Sequence, residues 1–165
     1  MKLRRATHED VPVLSYWDSK PHVQAATGDD DVVDWGPEID ADPRWQVVLI
    51  AEQDGRPIGV VQIIDPHNEV THYWGDVEEH LRAIDIWIGE EADLGRGLGT
   101  QMMRLALERC FEPPEVTAVL IDPLESNTRA HRFYQRLGFT PVGVQVFGTD
   151  RCLVHRLDRD GWQDT

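Results

Sequence analysis

A single mixed α/β domain, with a central and largely antiparallel sheet flanked by helices, is the fold this sequence predicts. Three observations carry that prediction. Short β-rich runs alternate with stretches of helical period. A glycine-rich turn joins the most apolar run to the longest such stretch. The 165 residues suffice for one core, with no linker, repeat or low-complexity tract to divide them.

Leu3 to Ala6 reads as the first strand. Thr7, with Asp10 three residues on, opens a helix through Ser15 and Tyr16 in the manner of a capping box. An irregular acidic stretch bearing tryptophan runs on to Pro43. Gln46 to Glu52 and Ile58 to Ile64 are β-rich, and the Asp54-Gly55 pair between them suits a tight turn, so an antiparallel hairpin is expected. Arg82 to Gly89 alternates and ends near the glycine-rich turn, which makes it the central strand. The next helix sets Leu98, Met102, Leu105 and Ala106 on one face and stops before Pro113-Pro114. Val116 to Ile121 is a short buried strand. Ser126 or Asn127 caps a helix whose Ala130, Phe133, Tyr134 and Leu137 share a face, and Gly138 ends it. Phe139 to Phe147 and Arg151 to Leu157 form a last hairpin around Gly148-Thr149-Asp150.

Composition narrows the function. Hydrophobic residues make up 41% of the chain, as in an ordinary globule. The net charge of -14 repels nucleic-acid phosphates and favours a small cationic amine as partner. A solvated acidic surface accounts for the same total, so charge alone leaves both readings standing. Residues 28–42 carry Asp29, Asp30, Asp31, Asp34, Glu38, Asp40 and Asp42 with no Lys or Arg. Asp76, Glu78 and Glu79 precede the central strand. No apolar run approaches the ~20 residues of a membrane span. The basic start, Met1 to Arg5, is interrupted before an apolar signal core could form, so a cytoplasmic protein is expected, as a monomer or homodimer. Cys110 and Cys152 are expected as free thiols, and seven scattered histidines give no ligand pattern, so no metal is expected.

The stretch Leu94-Gly95-Arg96-Gly97-Leu98-Gly99-Thr100 opens a helix after an apolar strand. Alternating glycines let backbone N–H groups close around an anion, and the helix adds its partly positive end. An ordinary strand-to-helix connection has the same composition. A Walker loop is excluded, because no Lys follows any of these glycines. The dinucleotide spacing Gly-x-Gly-x-x-Gly fails from Gly95, where Thr100 falls on the last position, and from Gly97, where Met102 does.

The turn resembles the pyrophosphate loop of the GNAT superfamily of acyl-CoA N-acyltransferases, Gln/Arg-x-x-Gly-x-Gly/Ala, with Leu94 at its first position. Asn127-Thr128-Arg129-Ala130 through Tyr134 to Gly138-Phe139 is similar to the family's second motif. The resemblance implies acetyl-CoA as co-substrate, held by Leu94, Gly95, Arg96, Gly97, Gly99 and Thr100. It implies a sheet splayed at the CoA site, where the backbone of Ile86, Trp87 and Ile88 meets pantetheine and a strand N–H faces the developing oxyanion. Asn127 matches a pantetheine contact, and a plain helix cap is the other reading. Tyr134 sits at the general-acid position, and a core-facing aromatic is the other reading.

Asp85 interrupts the apolar strand Ala83 to Ile88. Alternation puts it with Trp87 on one face and Ile84, Ile86 and Ile88 on the other. Such a carboxylate is costly unless it faces a wet cleft or a partner, so it is either the base that deprotonates an ammonium or half of a salt bridge. From Arg82 to Phe139 the residues look like the aminoglycoside 6′-N-acetyltransferases, which carry Leu at the loop's first position and an Asp, regarded as the base, at the place of Asp85. That branch implies transfer to the 6′-amine of an aminoglycoside. Trp35, Trp74, Asp76, Glu78, Glu79 and Asp85 are the expected acceptor contacts, although the tryptophans equally suit packing. Acylation of a siderophore-type lysine derivative or a protein amine is the second enzyme reading. An acyl-CoA-binding module without catalysis is the third, against which the retention of Asp85 and Tyr134 counts.

Overall fold

The computed structural model describes residues 1–28 and 33–162. One seven-stranded sheet runs in the order β1-β2-β3-β4-β5-β7-β6. Its strands are β1 (Lys2–Arg5), β2 (Gln46–Gln53), β3 (Arg56–Ile64), β4 (Leu81–Ile88), β5 (Ala118–Ile121), β6 (Thr140–Phe147) and β7 (Asp150–Asp158). Every pairing is antiparallel except β4 with β5. The Asp54-Gly55 turn joins β2 to β3 with both residues at positive φ, 54° and 78°, the mirror-image turn that matches strand twist.

The helices are α1 (Val11–Asp18), α2 (Pro21–Thr27), α3 (Trp35–Asp40), α4 (Leu98–Phe111) and α5 (Thr128–Arg136). One face of the sheet packs on α4 and α5 through Ile84, Met102, Met103, Leu107, Val119 and Tyr134. The other face carries two clusters. Trp17, Trp35, Val48 and Val60 fill one under α1 and α3, and Trp74, Ala83, Leu120 and Phe147 fill the other.

Two expectations change. The helix expected from Thr7 is a 3₁₀ turn, His8–Asp10, followed by α1 from Val11, with Asp10 accepting the Thr7 N–H at 2.8 Å. The stretch up to Pro43, expected to be irregular, contains α2 and α3. Pro21 at the first helical position starts α2, and burial of Val23 and Trp35, rather than an amphipathic period, fixes both short helices. Asp29, Asp30 and Asp31 lie outside the described residues.

Candidate active site

The sheet opens at β4. Its β3 side is paired from Ala83 to Ile88. Its β5 side pairs only through Leu81↔Ala118, Arg82↔Val119 and Ala83↔Leu120. Past Ala83 the parallel strands part, while β5 stays with β7 through Ile121↔His155. The Gly89 N–H donates to the Ile58 carbonyl at 2.9 Å. Main-chain groups alternate along a strand, so Gly89, Trp87 and Asp85 address β3, while Ile86 and Ile88 address the gap. Side chains divide the other way. Ile84, Ile86 and Ile88 join the α4–α5 cluster, and Trp87 joins that of α1 and α3. The alternation expected of this strand is therefore met.

Asp85 is half-buried on the Trp87 face, opposite Gln62 of β3. Asp122 follows β5 two residues past Leu120, which shares a cluster with Ala83, so alternation puts it on the Asp85 side of the sheet and on the other lip of the gap. The Tyr73 hydroxyl donates to Asp122 Oδ2 at 2.7 Å, and its ring stacks on Phe147 with centroids 4.4 Å apart. Tyr134 is buried and belongs to the α4–α5 side. Burial first, and then Asp85 and Asp122, pushes its phenol well above the ordinary tyrosine range. Burial, Asp122 and Asp85 do the same to Tyr73. Both phenols stay protonated around one pair of carboxylates, and Tyr134 is thereby kept as a donor. Tyr73 escaped sequence reasoning, and Asp122, which falls within the stretch that resembles the 6′-N-acetyltransferases, was given no site role, because each stands outside any periodic pattern. The β4–β5 register is what recruits Asp122.

The mouth of the gap is built by the glycine turn. Gly95 and Gly97 lie at φ +71° and +78°, and a Cβ at either would meet open space, so backbone angle is what requires glycine there. No side chain caps the first turn of α4, whose N-cap is Gly97. The N–H groups of Leu98, Gly99 and Thr100 lie at the positive end of a fourteen-residue helix, an arrangement that can cradle an anion. A Cβ on Gly99 would lie 3.6 Å from Phe133 and 3.7 Å from Ile88, which sets this cradle between α5 and the open end of β4. An elongated thioester with a diphosphate fits such a cradle and gap. Leu94 lies in extended backbone just before the turn. The Arg96 guanidinium donates to Asp93 at 2.9 Å, and Arg56 binds the same carboxylate at 2.7 and 3.0 Å. These bonds, Arg56's above all, hold the Asp93 carboxyl below the usual range. Asn127 Oδ1 accepts the Ala130 N–H at 3.1 Å, so its capping role is present.

The expected acceptor contacts fare differently. Trp35 is 1% exposed, donates its indole N–H to Asp18 at 2.6 Å and packs 6.0 Å from Trp87. Trp74 is 6% exposed and lies edge-on to Phe147 at 5.1 Å. Both rings are walls covered by neighbouring side chains. Glu78 binds Arg156 at 2.5 Å, and Glu79 lies 3.7 and 3.8 Å from His67 and His80. With the exposed Asp76 they flank the N-terminal end of β4, roughly 13 Å of strand before Asp85. Helix α3 instead brings Glu38 to the Gln46 amide and, at 3.3 Å, to that of Gln62, beside Asp85.

Known proteins share this arrangement. A GNAT acetyltransferase domain family model matches residues 6–147. The aminoglycoside N(6′)-acetyltransferases type 1 of Klebsiella pneumoniae and Serratia marcescens are each 30% identical to this chain over 168 residues, 88% of this chain and 80% of theirs. A kanamycin resistance protein of Rhizobium radiobacter is 40% identical over 79 residues, 44% of this chain and 73% of its own. The crystal structure of aminoglycoside acetyltransferase AAC(6′)-Ib with coenzyme A superposes with a TM-score of 0.86 at 28% identity, over 97% of this chain and 95% of that one. Its complex with coenzyme A and kanamycin gives 0.85 at 27%, over the same shares. The opened sheet is thus that of a known fold, and the chain belongs to the GNAT acetyltransferase family, as an N-acetyltransferase that uses acetyl-CoA.

Proposed function

We propose that this N-acetyltransferase transfers the acetyl group of acetyl-CoA to the 6′-amine of an aminoglycoside. The observation that carries the reading is the pair of carboxylates, Asp85 and Asp122, that both act on the buried Tyr134 phenol where the β4–β5 pairing has ended. A polycationic amine meets two carboxylates there. The AAC(6′)-Ib complex with kanamycin supports the acceptor class.

Each chemical demand has a residue. The diphosphate of acetyl-CoA lies on the N–H groups of Gly95 to Thr100, and its amide-bearing arm pairs with the main chain of Ile86 and Ile88. Asp85 takes the proton of the incoming ammonium, leaving the nitrogen lone pair to attack the thioester carbon. The Ile86 N–H, which faces the gap, meets the oxygen as charge develops on it. The C–S bond then breaks, the Tyr134 hydroxyl gives its proton to the departing sulfur, and the second proton that the nitrogen sheds as the amide forms restores the phenol. Asp122, steadied by Tyr73, holds a second ammonium and so orients the first.

Thiol release from acetyl-CoA, measured against aminoglycosides, polyamines, lysine derivatives and peptides, tests the reading. Turnover is expected with aminoglycosides carrying a 6′-amine and not with those carrying a 6′-hydroxyl. Turnover confined to lysine derivatives or peptides overturns the acceptor and leaves the acetyltransferase.

A further inference from the structure

Helix α2 runs from the open end of β4 to the start of β7. At its start, the His22 ring bonds the Ile88 carbonyl through Nε2 at 2.9 Å. Just past its end, a Cβ on Gly28 would come within 2.6 Å of the Asp150 carboxylate, at the first residue of β7. Its two ends thus touch β4 and β7, the strands on either side of β5. The segment before it is fastened to the same end of β4. The Trp17 indole N–H donates to Glu90 at 3.2 Å, and Lys20 meets Glu90 at 3.3 Å. The bond to Ile88 fixes the tautomer of His22. A carbonyl only accepts, so His22 must carry its proton on Nε2. This carbonyl also faces the gap rather than β3, since Gly89 and Trp87 serve the β3 side.

We propose that His22 is a positioning residue through which the helix over the acceptor side and the arm of acetyl-CoA compete for one carbonyl oxygen. The inference rests on the reading above, in which that arm pairs with Ile86 and Ile88. While the cofactor is absent, His22 holds Ile88 and α2 lies closed across the gap. An amide N–H of the arm takes the oxygen, the imidazole leaves, and α2 loosens over the acceptor site. The acceptor then enters more readily once the cofactor is bound. Linkage makes this coupling mutual, so acceptor and cofactor raise each other's affinity by the same factor.

Hydrogen exchange of the whole chain with and without coenzyme A reads the latch without any substitution. Coenzyme A is expected to slow exchange across Gly95 to Thr100 and at Ile86. It is expected to speed exchange severalfold at Val23 and Gln24, whose N–H groups bond the Lys20 carbonyl at 3.1 and 3.0 Å. Calorimetry gives the second arm. His22→Ala, which removes the competitor, should bind coenzyme A about 2- to 12-fold more tightly, the weight of one net hydrogen bond. His22→Gln, which keeps an N–H at similar reach, should bind as the unaltered protein does. Unchanged or slowed exchange in α2 while the glycine turn is protected overturns the latch and spares the cofactor site. Equal or weaker binding by His22→Ala overturns it as well. Loss of protection at both the turn and β4 overturns the cofactor site and the latch together.

Discussion

Asp85 of β4 and Asp122, the residue after β5, lie on the two lips of the opened sheet, and together they add to the effect of burial in raising the phenol of Tyr134. Both carboxylates lie past Ala83↔Leu120, the last pair between β4 and β5, so the point where that ladder stops is also where charge collects. An apolar filling there would close the gap. Two carboxylates keep it wet and receptive to cations.

Asp85→Asn removes the proton acceptor and keeps the shape. Turnover is expected to fall by ~100- to 10,000-fold, with coenzyme A affinity unchanged by calorimetry. Full turnover near neutral pH would leave Asp85 a structural residue.

Asp122→Asn is expected to raise the acceptor's KM more than it lowers kcat, because this residue orients rather than reacts. Asn or Gln in place of Asp76, Glu78 and Glu79 should leave that KM within about twofold, since those side chains are spent on the far end of β4 or on solvent, where ion pairs contribute little. Steady-state kinetics of both sets with one aminoglycoside separates these assignments.

Tyr134→Phe keeps the ring and loses the proton donor. A fall in kcat at similar acceptor KM is expected, with an unchanged melting temperature. In the unaltered enzyme, the raised phenol should keep the alkaline limb of kcat from arising at this residue below pH ~10.

Gly97→Val forces a β-branched side chain to φ +78°, at a cost of about 1–2 kcal/mol, and sets it beside the N–H cradle. Coenzyme A binding should weaken about tenfold or more, as hydrogen bonds to a charged group are lost. Calorimetry on the folded variant checks this.

Asp10 accepts both guanidinium N–H groups of Arg4 at 2.7 Å, and these hold its carboxyl below the usual range. A depressed folded pKa stabilises above the unfolded value of ~3.9 and is lost as pH falls through the folded one. Asp10→Asn should therefore cost about 1–3 kcal/mol at pH 7 and nothing at the acid end, as urea melts across pH 3 to 7 would show.

The sequence by itself determined the strands, the two long helices and the glycine cradle, because each is a local matter. Alternation set the faces of Ala83 to Ile88, and positive φ required Gly97. Asn127 and Gly138 bound a helix by chemistry within a few residues of each end. Burial of Tyr134 also followed from its helix face. The roles of Trp35 and Trp74 did not, since a tryptophan's spacing is the same whether its face meets a ligand or Trp87 and Phe147. Helices α2 and α3 are too short to announce themselves by period and exist through what they cover. Only the tertiary structure paired Asp85 with Asp122 and put His22 on Ile88. The first needs the parallel register of β4 and β5, thirty-seven residues apart in number. The second needs a helix folded back across an opened sheet, and no local pattern encodes contacts made at such separation.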